Sequence, residues 1–88
     1  MGAKILYFST GWCAPCKILY PIVEQLSKEH NIELIKINAE EDLFKVAEYN
    51  IMSVPALVFL KDNQEAGRIM GYTTRDKVIQ MMKKAFNS

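Results

Sequence analysis

Eighty-eight residues suffice for one compact domain and exclude two, because a single core becomes viable near this length; residues 1–88 are expected to form one unit. Half of the residues are hydrophobic and 24% are charged, the balance of a soluble globular chain. Eleven basic against ten acidic side chains leave a formal charge of +1, with no basic cluster beyond Lys83-Lys84, and the longest apolar run, Val54 to Leu60, falls far short of the roughly 20 residues that cross a bilayer. Neither nucleic acid nor a membrane is an expected partner.

In chain order, Lys4 precedes only Ile5-Leu6-Tyr7-Phe8 before the polar Ser9-Thr10-Gly11, too short an apolar region for a secretory signal. Leu6 occupies the place where the myristoylation pattern requires Ser or Thr. The expected compartment is the cytoplasm, where a persistent structural disulfide is unusual. Lys4 to Phe8 reads as a buried strand. From Ala14 to about Glu29, Cys16, Leu19, Tyr20, Val23 and Leu26 recur at three- and four-residue spacing, which lays an apolar stripe on a long helix. Pro21 removes one N–H from it and predicts a kink rather than a stop, since the periodicity continues beyond. Ile32 to Asn38 is a second strand, and Glu40 to Tyr49 a short second helix carrying Leu43, Phe44, Val46 and Ala47, closed by Asn50. Ala56 to Leu60 and Glu65 to Met70 form an antiparallel pair turning at Asp62-Asn63. Thr74 offers an N-cap, with Asp76 in the first turn, to a last helix burying Val78, Ile79, Met82 and Phe86. The order is β-α-β-α-β-β-α, without repeats or linkers.

The chemistry is concentrated in Gly11-Trp12-Cys13-Ala14-Pro15-Cys16-Lys17, at the corner between the first strand and the first helix. A capping Cys13 presents its sulfur to the unpaired N–H groups and positive dipole end of the helix, which favour thiolate over thiol and make Cys13 the nucleophile, expected to be exposed, with Cys16 the more interior of the two. Cys16 lies in the first turn, about 5–6 Å away at Cβ in a regular helix against the roughly 3.5–4.5 Å that a disulfide needs, so a bridge forms with a small local adjustment and opens without unfolding. Pro15 stiffens the turn and gives up no helical hydrogen bond there. Competing readings are a structural disulfide, disfavoured by compartment and by the tiny loop closed, and a zinc site, for which two further ligands are missing. His30, the one histidine, is expected as an exposed residue at the helix C-terminus, so no metal is expected.

Trp12-Cys13-Ala14-Pro15-Cys16-Lys17 resembles the active-site signature of thioredoxins, whose usual form has Gly where this chain has Ala14. The resemblance extends to Phe8, Pro21, Val54-Pro55 and Gly71, in matching order and separation, over nearly the whole chain. It implies a thioredoxin-like α/β fold with a four-stranded mixed sheet and helices on both faces. It also implies a cis bond at Val54-Pro55 opposite the cysteines, and a substrate groove lined by Trp12, Val54, Pro55, Gly71 and Tyr72. The chain begins directly with the strand leading to the cysteines, so the expectation is a minimal core without the additional N-terminal strand and helix usual in the family. Tyr7 stands where most thioredoxins bury an aspartate that handles the proton of the second cysteine; a phenol is a poor base at neutral pH. Lys36 matches the lysine accompanying that aspartate.

The expected activity is dithiol-disulfide exchange on protein disulfides through the Cys13–Cys16 pair, with Trp12, Pro15, Lys36 and Tyr7 in support. It requires no metal or organic cofactor. A monomer drawing electrons from a donor of the thioredoxin reductase type is the expected partner arrangement. The alternative is glutaredoxin-like use of glutathione. The motif lacks the Pro-Tyr that glutaredoxins carry between their cysteines, and no close match to their Gly-Gly and Asp follows Gly71. A non-catalytic binding subunit of the same fold is the second alternative.

Overall fold

The computed structural model describes residues 2–87, which form a four-stranded sheet in the order β2-β1-β3-β4 with three helices. The strands are β1 (Ala3–Ser9), β2 (Glu33–Asn38), β3 (Ala56–Lys61) and β4 (Gln64–Met70), and the helices are α1 (Ala14–Glu29), α2 (Leu43–Glu48) and α3 (Arg75–Phe86). β1 pairs parallel with β2, a geometry that requires a crossover, and α1 supplies it. β1 pairs antiparallel with β3, and β3 antiparallel with β4.

The two central strands carry the two uninterrupted apolar runs because both of their faces are covered. Ile5 and Tyr7 of β1 and Leu57 and Phe59 of β3 face a core built with Leu19, Val23 and Leu26 of α1 and Val78, Met82 and Ala85 of α3. The alternate residues, Leu6, Phe8, Ala56, Val58 and Leu60, face a second core closed by Ile37 and Ile51, with Val46 of α2 and Tyr49 packed against it. Helices therefore cover both faces, as expected. At the β3–β4 turn, Asp62 and Asn63 both adopt positive φ, 52° and 68°, as a two-residue hairpin loop demands. Thr74 caps α3 through Oγ1, which accepts from the Lys77 N–H at 3.3 Å.

Three expectations need correction. The second helix starts at Leu43, not Glu40, because the chain turns first around Asn38: its Oδ1 accepts from the Glu40 N–H and its carbonyl from Asp42. Asp42 then caps the helix, and Leu43, Phe44 and Ala47 are exposed. On α3 the fully buried stripe is Val78, Met82 and Ala85, with Ile79 and Phe86 half-buried, since the apolar face is one residue row narrower than the periodicity suggested. The third correction, to the exposure of Cys13, belongs to the site below. α1 runs through Pro21 without stopping, and His30 is exposed at its C-cap.

Candidate active site

β1 ends at Ser9, and the four residues that follow carry the chain to the N-terminus of α1. Cys13 is the N-cap: its backbone is extended (φ −87°, ψ 102°) and its Sγ accepts from the Cys16 N–H at 3.2 Å, satisfying one of the unpaired donors of the first turn. Pro15 lies in that turn, where a missing N–H costs nothing. A disulfide joins Cys13 to Cys16 with the Cα atoms 5.3 Å apart, inside the usual range for such a bridge. Cys13 was expected to be the exposed member and Cys16 the interior one, yet they are 4% and 1% exposed. Both cysteines join the core beneath α1, and Val54 packs against that core. The two sulfurs thus differ in position on the helix end, not in burial.

Tyr7 is fully buried beneath the motif, and its hydroxyl donates to the Cys16 carbonyl at 2.7 Å. Its ring meets Tyr20 edge-on at 5.0 Å. Burial, reinforced by the neighbouring Tyr20 phenol, pushes the Tyr7 phenol well above its ordinary range, so it is protonated wherever the protein is folded near neutrality. At position 7 the chain thus sets a neutral hydrogen-bond donor against the helix backbone at Cys16. The Lys36 ammonium sits 4.7 Å from the centre of the Tyr20 ring, on a β2 residue that is otherwise exposed. Lys36 nevertheless borders the same small cavity as Cys16, together with Ser9, Thr10, Lys17 and Asn38.

On the outer side Trp12 is 71% exposed, and its indole N–H donates to Glu40 Oε2 at 2.9 Å, fixing the ring against the β2–α2 turn. Beside it lies an open apolar groove of about 410 Å³, bordered by Trp12, Val46, Ile51, Met52 and Val54. Val54-Pro55 is a cis bond. The Pro55 carbonyl accepts from the Gly71 N–H at 2.7 Å, which ties the loop before β3 to the residue after β4. Gly71 has φ +86°, a conformation that a side chain would strain. Tyr72 is exposed next to it. Trp12, the Val54-Pro55 loop and the cysteines thus gather at the end of the sheet where β1 hands over to α1. Glu40 and Met52 were not anticipated. No local pattern marks Glu40, whose partner is 28 residues away; Met52, at 81% exposure, belongs to the Ile51-Met52-Ser53 stretch before the proline, where an apolar residue outside any periodicity was the available signal. Among the described residues, no three His, Cys, Asp or Glu side chains gather as metal ligands.

Comparison with known proteins agrees with this geometry. The model of the Thioredoxin family matches residues 2–84. A thioredoxin of Staphylococcus aureus is 27% identical over 85 residues, covering 94% of this chain and 82% of that protein. Among solved structures, a mutant thioredoxin from Halobacterium salinarum superposes with a TM-score of 0.89 at 25% identity, covering 96% of this chain and 74% of that one. Thioredoxin 1 of Thermosipho africanus gives 0.87 at 24% identity, with 96% and 94% covered, and supports the fold.

Proposed function

The chain belongs to the thioredoxin family, and on that premise we propose how its residues divide the work of disulfide exchange. It is a thiol-disulfide oxidoreductase whose substrates are protein disulfides and whose electrons come from a reductase. The observation that carries this is the Cys13–Cys16 bridge, laid across a single helical turn at the N-terminus of α1.

In the proposed cycle the Cys13 thiolate attacks one sulfur of a substrate disulfide, forming a mixed disulfide and releasing the other substrate sulfur as a thiolate that takes a proton from solvent. The Cys16 thiolate then attacks Cys13 Sγ, the bond to the substrate breaks, and the substrate leaves reduced while the chain keeps the Cys13–Cys16 disulfide. The capped position of Cys13 favours its thiolate, which is why it attacks first. Pro15 keeps the turn rigid, Tyr7 fixes the backbone at Cys16, and the positive charge of Lys36 favours the Cys16 thiolate. Trp12, Val54, Pro55, Gly71 and Tyr72 form the docking surface for an extended substrate segment, and the apolar groove beside Trp12 suits a segment with an apolar side chain next to its cysteine.

The donor in this reading is of the thioredoxin reductase type, and the chain works as a monomer, with residues 1–88 as one domain, in the cytoplasm. A reversible dithiol suits a compartment that keeps resetting it, and among the described residues no helix is long and apolar enough to cross a membrane.

Trapping tests the roles of the cysteines. With a disulfide-bearing protein as substrate, Cys16→Ser accumulates a covalent adduct on Cys13 visible by mass spectrometry, whereas Cys13→Ser is inactive and forms none. An adduct on Cys16 in the Cys13→Ser protein, with none in Cys16→Ser, would reverse the assignment.

A further inference from the structure

Resolution requires Cys16 to lose a proton, and among the described residues the β1 side chain beneath it is not a carboxylate but Tyr7, whose hydroxyl is committed to the Cys16 carbonyl. A cavity of about 240 Å³ opens beside Cys16 instead, bordered by Ser9, Thr10, Lys17, Lys36 and Asn38, which is room for several water molecules. Thr10 Oγ1 is buried and has no hydrogen-bond partner among the described residues. A buried hydroxyl without a protein partner is ordinarily satisfied by water, and Thr10 borders this cavity beside the polar side chains of Ser9, Lys17, Lys36 and Asn38. Cys16 is 1% exposed, yet it is one of the residues that border this space.

We propose that this cavity is the route by which Cys16 sheds its proton during resolution, with the Thr10 hydroxyl positioning the water that receives it. The inference rests on the exchange cycle proposed above. In the mixed disulfide the Cys16 thiol gives its proton to a cavity water held by Thr10 Oγ1, and the proton passes to bulk solvent. The thiolate then forms the Cys16–Cys13 bond as the Cys13–substrate bond breaks, and the departing substrate thiolate is protonated from solvent. Of the charged or titratable groups around Cys16, the N-cap contributes Cys13, α1 contributes Lys17 and Tyr20, β1 contributes Tyr7, and β2 contributes Lys36. β3 and α3 contribute apolar residues to the same core, Leu57, Phe59, Val78 and Met82. The two ammonium groups favour the thiolate, and the phenols remain neutral. Thr10 is a positioning residue: it touches the water, not the reacting sulfurs.

Reduced protein mixed rapidly with excess dithiobis-nitrobenzoate releases one chromophore in a concentration-dependent phase, attack by Cys13, and a second in a concentration-independent phase, resolution by Cys16. Thr10→Val keeps the shape of the side chain and removes the hydroxyl. It is expected to slow the second phase about tenfold at pH 7, less than the roughly hundredfold contributed by a full positioned base, and to converge on the wild type near pH 9, where hydroxide takes the proton directly. The attack phase keeps its rate, and Thr10→Ser restores resolution. The wild-type second phase is also expected to slow in D2O, a measurement that needs no variant. Coincident pH profiles, a loss of equal size at every pH or in both phases, or a D2O-insensitive second phase would overturn the route through Thr10. Failure of Cys13 to release the first chromophore would instead overturn the exchange cycle itself.

Discussion

Tyr7→Phe separates holding the backbone from handling the proton. The substitution keeps the ring and its edge-on contact with Tyr20, and deletes only the hydroxyl that donates to the Cys16 carbonyl at 2.7 Å. A buried hydrogen bond of this kind contributes about 1 kcal/mol net. The Cys16 carbonyl retains its helical partner four residues on, so no acceptor is orphaned and the cost stays near that value. For a domain of this size, about 1 kcal/mol lowers Tm by roughly 4–8 °C.

The pH dependence has a definite sign. Burial and Tyr20 raise the Tyr7 phenol above its ordinary pKa of 10.0, so its contribution is complete below pH 10. As pH rises past that point the unfolded chain ionises first, and wild-type stability falls by at most about 1.4 kcal/mol per pH unit on account of this one group until the folded-state value is reached. The variant lacks that slope, so the gap between the two proteins is constant from pH 6 to 9 and narrows above 10. Denaturant melts across this range measure it. Over pH 6 to 9 the resolution rate is expected to stay within about twofold of wild type, because a phenol that keeps its proton cannot act as the base whose loss costs a hundredfold or more. A resolution rate that falls about tenfold or further at pH 7, with Tm unmoved, would refute the backbone role and make Tyr7 part of the proton chemistry.

Lys36→Met is expected to raise the pH at which resolution becomes fast, since it removes a positive charge bordering the Cys16 cavity; rapid-mixing profiles from pH 6 to 9 that superpose on wild type would reduce Lys36 to its contact with Tyr20. In steady-state reduction of a protein disulfide, a thioredoxin reductase system is expected to support faster turnover than glutathione, and turnover on glutathione alone would assign the protein to the glutaredoxin-like alternative.

Much of the fold is visible in the sequence because the central strands advertise themselves. Ile5 to Phe8 and Ala56 to Leu60 are apolar at every position, the mark of strands buried on both faces, and Cys16, Leu19, Val23 and Leu26 set the buried face of α1. Turn chemistry did the rest: Asp62-Asn63 and Thr74 have local signals and behave as those signals say. The start of the second helix is not legible in the sequence because the decisive interaction is the Glu40 N–H donating to Asn38 Oδ1, which competes with helix over two residues and leaves no periodic trace. Its exposed Leu43 and Phe44 mimic a core stripe that α2 is too short to form.

At the site, the residue types in Trp12 to Lys17 and the corner they occupy were enough to find the sulfur chemistry, since capping and the i, i+3 spacing are local properties. What connects the site to the rest of the molecule was not legible. Tyr7 finds a backbone carbonyl, Trp12 finds Glu40, and Lys36 finds the face of Tyr20. A carbonyl acceptor has no residue identity, and the other two pairs are made by the sheet register that sets β2 beside β1. The burial of Cys13 is hidden for a related reason, because it depends on a core shared with Tyr7 and Leu57 and packed against Val54, residues of other segments.

Tyr7 in place of a carboxylate beneath Cys16 is consistent with exchange chemistry once the nearby cations are weighed. Each unit by which neighbouring positive charge lowers a thiol pKa raises the thiolate fraction about tenfold while the pKa stays above ambient pH. The intrinsic nucleophilicity of the thiolate falls with the same shift, but with a Brønsted slope of only about 0.4–0.5, which is roughly a threefold loss per unit. The net gain is about threefold per unit, and it ends when the pKa reaches ambient pH. Positive charge therefore replaces part of what a base would supply, but not the transfer of the proton itself. That transfer still needs an acceptor in contact with the sulfur, and the cavity bordered by Thr10, Cys16 and Lys36 is where this fold provides room for one.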